Sequence, residues 1–194
     1  MMRPAVFIDK DGTLVRDVPY NVDPARIRLT PGAGPALKPL QESGFALIVI
    51  TNQPGVGEGR FAAAALERVR ARIETLLEPH AVTLDGFYFC PHVAAGGAAS
   101  CPCRKPKPGL LYRAALEHGI DLRRSWMVGD ILNDIEAGRR AGCRTALIDC
   151  GNETEWLLAP WRMPDLVATN LGTAARLIAQ VARQEMPAPA ELVE

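Results

Sequence analysis

The sequence lacks a long apolar run, an excess of charge of either sign and an even set of cysteines. No run is long enough to span a bilayer, and no signal-peptide pattern precedes the first predicted strand. We therefore expect a cytoplasmic protein without a membrane partner. The 22 basic and 22 acidic residues give a net charge of zero, which argues against a nucleic-acid partner. Five cysteines are an odd number, which disfavours a disulfide framework.

Internal repeats and linkers are also missing. A chain of 194 residues has the length of one ordinary domain, and we predict a single domain over residues 1–185. The remaining residues, 186–194, contain Pro187 and Pro189 and are predicted to form a flexible tail. The glycine-rich segment 54–60 has neither a Walker sequence nor a dinucleotide fingerprint, so we interpret it as a flexible turn.

Short apolar runs alternate with helical patterns along the chain, which predicts an open α/β sheet. Strands are predicted at 6–8, 45–50, 87–89, 126–129, 145–148 and, as a short edge strand, 166–167. Helices are predicted at 32–43, 62–77, 110–118, 131–141 and 171–183.

Two carboxylates follow the first predicted strand. Asp9 comes directly after the apolar run, Asp11 lies two residues further, and Gly12 permits a sharp turn. Ligands of open α/β sheets collect at the carboxyl ends of strands, so this spacing suits Asp9 as a nucleophile and metal ligand and Asp11 as an acid/base. The alternative is a polar turn that merely closes the strand.

Other predicted strand ends carry further polar residues. Thr51 follows the second strand and could donate a hydrogen bond to a phosphoryl oxygen, although threonine is also common at strand ends. Asp130 follows the fourth strand and adds a third carboxylate to the same edge. Asp134, one helical turn further, either supports the site or is a favourable charge in the first turn of a helix.

Two loops are candidates for contacts with a substrate. The irregular stretch 17–31 begins beside the aspartates, and we interpret it as a flap over the site, with an ordinary surface loop as the alternative. The segment 104–109 is predicted to be stiff and extended, because its prolines forbid a helix. Its Arg104 and Lys105 suit a phosphate, whereas for Lys107 we favour a solvated basic turn.

Four potential metal ligands occur within fourteen residues. Three thiols and one imidazole match a closed structural zinc site; they are Cys90, His92, Cys101 and Cys103. The intervening Gly- and Ala-rich loop cannot form a core, so a metal could hold it in place. The alternative is a set of incidental thiols. Cys143 and Cys150 stand apart and are expected to pack as small apolar residues.

The motifs occur in a specific order: Asp-x-Asp-Gly-Thr, a strand-terminal Thr, Arg-Lys-Pro, and Gly-Asp-x-x-x-Asp. This order resembles the haloacid dehalogenase superfamily of phosphatases over nearly the whole chain. The Cys-x-His and Cys-x-Cys pair before Arg-Lys-Pro is similar to the subgroup of heptose-bisphosphate phosphatases and histidinol-phosphatase domains. The resemblance implies a Rossmann-like parallel sheet with helices on both faces, no large cap domain, and a zinc loop over 90–103.

The resemblance also implies roles for individual residues. Asp9 would form an aspartyl-phosphate, and Asp11 would protonate the leaving oxygen and then activate water. Phosphoryl binding is implied for Thr51 and Lys105. Substrate binding is implied for Asp17, Tyr20, Asn52, Gln53 and Arg104. Magnesium would be held by Asp9, the backbone carbonyl of Asp11, and Asp130. Zinc would be held by Cys90, His92, Cys101 and Cys103. Lys10 departs from the subgroup, in which arginine is frequent at this position.

We therefore expect a monomeric Mg²⁺-dependent phosphatase that acts on a small phosphorylated sugar. Heptose 1,7-bisphosphate is the first candidate substrate and histidinol phosphate the second. Repair of nucleic-acid ends is disfavoured by the zero net charge. An inactive, zinc-stabilised binding module is the alternative outside the enzymes, and the intact set of motif residues argues against it.

Overall fold

Six parallel strands form the centre of the computed structural model, which describes residues 2–93 and 101–185. The strands are β1 (Ala5–Ile8), β2 (Ala46–Asn52), β3 (Gly86–Cys90), β4 (Trp126–Gly129), β5 (Arg144–Ile148) and β6 (Leu166–Ala168). Their order across the sheet is β3-β2-β1-β4-β5-β6. Because every neighbouring pair is parallel, all carboxyl ends meet at one edge of the sheet.

Helices connect the successive strands from β1 to β5, and a last helix follows β6. They are α1 (Ala33–Glu42), α2 (Pro54–Gly57), α3 (Ala65–Leu77), α4 (Gly109–His118), α5 (Leu132–Ala141) and α6 (Leu171–Glu185). In the two described ranges, no element forms a large cap domain, and no helix is long and apolar enough to cross a membrane. The predicted Rossmann-like class is confirmed.

The strands separate two cores because successive side chains point to opposite faces. Val6 and Ile8 of β1 belong to a core that includes buried residues of α1, α3 and α6. Phe7, between them, belongs to a second core with buried residues of α4 and α5. Burial on both faces explains why β1 and β2 are continuous apolar runs.

The register places the end of β1 at the middle of the sheet. Ile8, the last residue of β1, pairs with Val49 of β2 on one side and with Val128 of β4 on the other. The chain that leaves β1 is therefore flanked by the ends of β2 and β4, which is the position at which the sequence predicts the site.

Several local predictions are corrected. β2 extends to Asn52, so Thr51 lies within the strand rather than after it. The segment predicted as a flexible turn at 54–60 begins with the short helix α2, and α3 begins at Ala65 instead of residue 62. Segment 104–109 is bent rather than extended, since the backbone N–H of Lys107 donates to the carbonyl of Arg104 at 2.8 Å.

The other local predictions are confirmed in part. The stretch 17–31 is irregular apart from a 3-10 turn at Pro24–Arg26. Cys143 is buried as expected, whereas Cys150 is exposed, and its predicted packing as a small apolar residue is wrong. Half of the predicted zinc loop, residues 94–100, and the predicted tail, residues 186–194, lie outside the described residues.

Candidate active site

A cavity of about 240 Å³ opens at the carboxyl edge of the sheet, where β1, β2 and β4 end. It is lined mostly by polar side chains: Asp9, Asp11, Asp17, Thr51, Asn52, Lys105, Asp130, Ile131 and Asn152. Seven of these residues are among those predicted from the sequence. Ile131 and Asn152 are the additions.

The buried ammonium of Lys105 is the main cation of the cavity. Its side chain is 3% exposed. Its Nζ forms an ion pair with the Asp9 carboxylate, lies 2.6 Å from Asp134 Oδ1, and donates to the carbonyl of Ile50 at 2.9 Å. Asp134 is fully buried and contacts Lys105, so it supports the site and is more than a favourable charge in the first turn of α5. The missing side chain of Gly129 admits it, because a Cβ there would lie 2.2 Å from Asp134 Oδ2.

The acidic cluster consists of Asp9, Asp130 and Asp134, and burial and nearby carboxylates disfavour charge on Asp9 and Asp130. Burial raises the pKa of Asp9 well above its usual value, Lys105 opposes this shift, and the neighbouring carboxylates add to it. Burial and then Asp134 raise the pKa of Asp130 to about 6. Burial opposes charge on Lys105, but Asp134 and Asp9 outweigh it and raise the pKa of Lys105. Additional positive charge would therefore favour the ionised cluster.

Both oxygens of the Asp11 carboxylate have a donor. Lys10 Nζ lies 2.5 Å from Asp11 Oδ1, and Gln53 Nε2 donates to Asp11 Oδ2 at 3.0 Å. The Gln53 amide also donates to Thr51 Oγ1 at 2.9 Å. Gln53 is buried beside the cavity rather than among its lining residues, so its amide supports Asp11 and Thr51.

Asp130 is held from two sides. Asn152 Nδ2 donates to its Oδ2 at 2.6 Å, and the Thr13 hydroxyl donates to its Oδ1 at 3.3 Å. The chain can pass this closely only at a glycine: a Cβ on Gly12, whose φ is +79°, would lie 2.0 Å from Asp130 Oδ2. The predicted sharp turn at Gly12 is confirmed.

The backbone of Lys105 is tied to β2 by Asn52. The Asn52 side chain accepts from the Lys105 N–H at 3.1 Å and donates to the Lys105 carbonyl at 3.2 Å. Asn52 also lines the cavity, so the same residue faces the predicted substrate site and fixes the loop that carries Lys105.

The thiol cluster consists of Cys90, His92, Cys101 and Cys103. Its last member, Cys103, lies two residues before Lys105. One potential ligand atom from each residue lies within 4.8 Å of all the others. Cys90 Sγ lies 3.2 Å from Cys103 Sγ, 3.5 Å from Cys101 Sγ and 3.4 Å from His92 Nδ1. A tetrahedral zinc site with Zn–S bonds of about 2.3 Å needs sulfur atoms roughly 3.8 Å apart, so the cluster could hold zinc after a small expansion.

The thiols of this cluster differ in acidity. Burial raises the pKa of Cys90 to about 12. Burial also raises the pKa of Cys101, but hydrogen bonds from Cys103 and from the backbone of Arg104 outweigh it and lower the pKa to about 7. Because zinc binds thiolates, the lowered pKa of Cys101 would favour metal binding at this cluster.

The residues predicted to contact the substrate occupy different places. Asp17 lines the cavity, whereas Tyr20 and Arg104 lie outside its lining. Tyr20 packs its ring under the guanidinium of Arg60 at 4.0 Å and donates to Glu58 at 3.3 Å, which fastens the 17–31 stretch to the segment after α2. Arg104 donates to the backbone carbonyl of His92 at 3.0 Å and thereby joins the two halves of the thiol cluster.

Sequence reasoning missed the contribution of Asn152 and the placement of Lys10. Asn152 lies in a stretch without a motif, so no signal pointed to it. Lys10 stands between two predicted catalytic aspartates, directly after a strand that is buried on both faces. That position is itself a signal, because a buried ammonium needs a partner.

The donor set of the acidic cluster fits a hard divalent cation. Carboxylate oxygens of Asp9, Asp130 and Asp134 lie within 4.8 Å of one another, and Mg²⁺ prefers oxygen ligands. Asp134 is already engaged by Lys105 and by the backbone N–H of Ile131 at 3.3 Å. Asp9 and Asp130, which line the cavity, are therefore the side chains best placed for such an ion.

Comparison with known proteins places this chain in a family. The family model described as HAD-hydrolase-like matches residues 102–174. A Haemophilus ducreyi protein named D-glycero-beta-D-manno-heptose-1,7-bisphosphate 7-phosphatase is 38% identical over 152 residues, which is 76% of this chain and 84% of that protein. The chain belongs to the haloacid-dehalogenase-like phosphatases. The resemblance stated from the sequence motifs is confirmed.

Two further relatives align with most of this chain. The Escherichia coli K12 protein with the same name is 35% identical over 168 residues, or 80% of this chain and 88% of that protein. The crystal structure of D,D-heptose 1,7-bisphosphate phosphatase from B. bronchiseptica, complexed with magnesium and phosphate, superimposes with a TM-score of 0.76 at 27% identity. That alignment covers 93% of this chain and 99% of the other.

Proposed function

We propose that this phosphatase removes the 7-phosphate of D-glycero-β-D-manno-heptose 1,7-bisphosphate, using Mg²⁺ and an aspartyl-phosphate intermediate, and that residues 1–185 form one catalytic domain. The observation that carries the proposal is the cavity in which Asp9 and Lys105 form a buried ion pair beside Asp130. The names of the relatives supply the substrate and its anomer.

In the first step, an Asp9 oxygen attacks phosphorus while the bond from phosphorus to the sugar oxygen breaks. Asp11 gives its proton to the leaving oxygen. Lys105 and Thr51 bind the phosphoryl oxygens, on which the transition state spreads negative charge. The Lys105 ammonium suits this role because it is already desolvated and held by Asp134 and the Ile50 carbonyl.

In the second step, water attacks the aspartyl-phosphate. Asp11 takes a proton from the water, the bond between phosphorus and Asp9 breaks, and inorganic phosphate leaves. Splitting hydrolysis in this way requires Asp11 to serve first as an acid and then as a base. Its position at the cavity, partly exposed and two residues after Asp9, is consistent with both tasks.

Two metals complete the proposal. Asp9, the backbone carbonyl of Asp11, and Asp130 would hold Mg²⁺, which neutralises charge on the phosphoryl group and among the carboxylates when bound. The thiol cluster would hold Zn²⁺ as a structural ion. Asp17 and Asn52, which line the cavity, and Arg104, which follows Cys103, would contact the sugar. Tyr20 and Gln53 would support these contacts through Glu58 and Asp11.

Phosphate release from a substrate panel tests the proposal. The panel contains the α and β anomers of the heptose bisphosphate, fructose 1,6-bisphosphate, histidinol phosphate and a 3′-phosphorylated oligonucleotide. We expect the highest kcat/KM for the β anomer, with the 1-phosphate retained in the product. A preference for histidinol phosphate would contradict the substrate assignment, and no release from any compound would contradict the assignment as a phosphatase.

Asp9→Asn tests the covalent mechanism. The amide cannot act as the nucleophile, so turnover should fall by at least about a thousandfold while the fold persists. Asp121→Asn is the matched control, because Asp121 lies outside the cavity lining and its side chain accepts from the Arg123 N–H. Turnover of Asp9→Asn equal to that of the parent would show that Asp9 is not the nucleophile.

A further inference from the structure

Lys10 is a buried lysine beside the proposed acid/base. It is 3% exposed, although it lies in the turn after β1, between two carboxylates of the site. An ammonium removed from water needs a charged partner. The contact that the structure provides is the 2.5 Å approach of Lys10 Nζ to Asp11 Oδ1.

This contact fixes one half of the Asp11 carboxylate, and a neutral donor fixes the other half. Gln53 Nε2 donates to Asp11 Oδ2 at 3.0 Å, and Gln53 is itself buried and bonded to Thr51. A carboxylate with a separate donor on each oxygen has little freedom to rotate. Its orientation toward the cavity is therefore set before a substrate arrives.

We propose that Lys10 is a positioning residue that holds the Asp11 carboxylate in the orientation needed for proton transfer. The inference rests on the proposed function, because it requires Asp11 to act as the acid and the base. Lys10 lies outside the residues that line the cavity, so it acts through Asp11. Asp11 must deliver its proton as the bond from phosphorus to the sugar oxygen breaks, and a misplacement of about 1 Å can slow such a step roughly a hundredfold.

The leaving group separates this role from a merely structural one. A sugar alkoxide leaves only with the proton from Asp11, whereas p-nitrophenolate is weakly basic and leaves without it. With enzyme in excess over substrate, a single turnover reports this first step alone. We expect Lys10→Met to slow release of the heptose product by at least about tenfold and to keep p-nitrophenolate release within about threefold of the parent.

Three variants control the measurement. Lys38→Met makes the same change at an exposed lysine, whose Nζ lies 3.9 Å from Glu42, and should leave both rates unchanged. Lys10→Arg restores a cation and should recover much of the rate. If Lys10→Met fails to fold, Lys10→Gln tests the loss of charge in its place. Thermal unfolding checks that each variant is folded.

A double variant tests whether the effect passes through Asp11. In an Asp11→Asn background, Lys10→Met should cause no further loss of turnover. An equal loss for both leaving groups, or a full additional loss in the double variant, would overturn the inference. If the parent hydrolysed the heptose bisphosphate and Lys10→Met were equally active, only the role of Lys10 would be overturned. If the parent did not hydrolyse it, the proposed function would be overturned as well.

Discussion

The acidic cluster and the thiol cluster are neighbours at one edge of the sheet, yet they are held together differently. The carboxylates stand at the ends of β1 and β4 and on α5, above two buried cores. The thiols stand at the end of β3 and on a loop; Cys90 is buried, whereas Cys101 and Cys103 are partly exposed. The first cluster depends on the packing of the sheet, and the second on the conformation of a loop.

The acidic cluster and the thiol cluster also differ in how the chain balances their charge. The carboxylates repel one another, and the chain supplies Lys105 among them as a compensating cation. The thiols of Cys101 and Cys103 lie within 3.5 Å of the Cys90 thiol, and Cys101 has the lowest pKa of the three. The chain therefore compensates the carboxylates with its own cation, whereas the described residues place no ammonium or guanidinium among the thiols.

Removing the cation of the acidic cluster should have the largest effect on stability. Lys105→Met leaves buried carboxylates without compensation, so the free energy of unfolding should fall by about 3–5 kcal/mol. Added Mg²⁺ should restore more stability to this variant than to the parent, because a cation then returns to the cluster. Urea unfolding with and without Mg²⁺ measures both effects.

Lys38→Met is the matched control for this prediction, because the Lys38–Glu42 pair is exposed at a separation of 3.9 Å. Such a pair should contribute less than about 1 kcal/mol. If Lys105→Met unfolded at the same urea concentration as the parent, the two clusters would not differ in the way described here.

Removing one thiol of the thiol cluster should have an intermediate effect. It should lower activity more than it lowers the free energy of unfolding. Cys103→Ser removes one ligand two residues before Lys105, so zinc content should fall and turnover should drop by about tenfold. The sheet should remain folded, because its cores lie elsewhere. Metal analysis, circular dichroism and phosphate release measure the three outcomes.

Cys150→Ser is the control for this experiment, since Cys150 is exposed and lies outside the thiol cluster. It should retain the full zinc content. Full zinc content and full activity in Cys103→Ser would show that this thiol does not hold the metal. Loss of the sheet in that variant would show that the two regions are not separate.

The smallest effect is expected from the loss of Asn152, whose side chain supports Asp130 of the acidic cluster. Asn152→Ala removes the 2.6 Å hydrogen bond to Asp130 Oδ2, which should raise the Mg²⁺ concentration for half-maximal activity by about tenfold. A magnesium titration of phosphate release measures it. Asn133→Ala, whose side chain pairs with Arg162, is the control. An unchanged titration would mean that Asn152 is not needed to orient Asp130.

The order of the motifs sufficed to predict the architecture and most of the cavity. β1 and Asp-x-Asp-Gly-Thr are consecutive residues, and a short apolar run followed by polar residues and glycine has few conformations available. Parallel strands bring their carboxyl ends together, so Thr51 and Asp130 could be assigned to the same edge before any distance was known. The four potential metal ligands between Cys90 and Cys103 were equally visible as a local cluster.

The sequence by itself left Asp134, Asn152 and Lys10 undecided, and only the tertiary structure resolved their places. Asp134 became a partner of Lys105 because the two meet across the sheet edge, and Asn152 reaches Asp130 from 22 residues further along the chain. Such contacts depend on where loops turn and on which charges must be compensated within a few ångströms of one another. Local patterns determine strands, helices and motif positions, whereas the pairing of buried charges is decided by the packing that removes them from water.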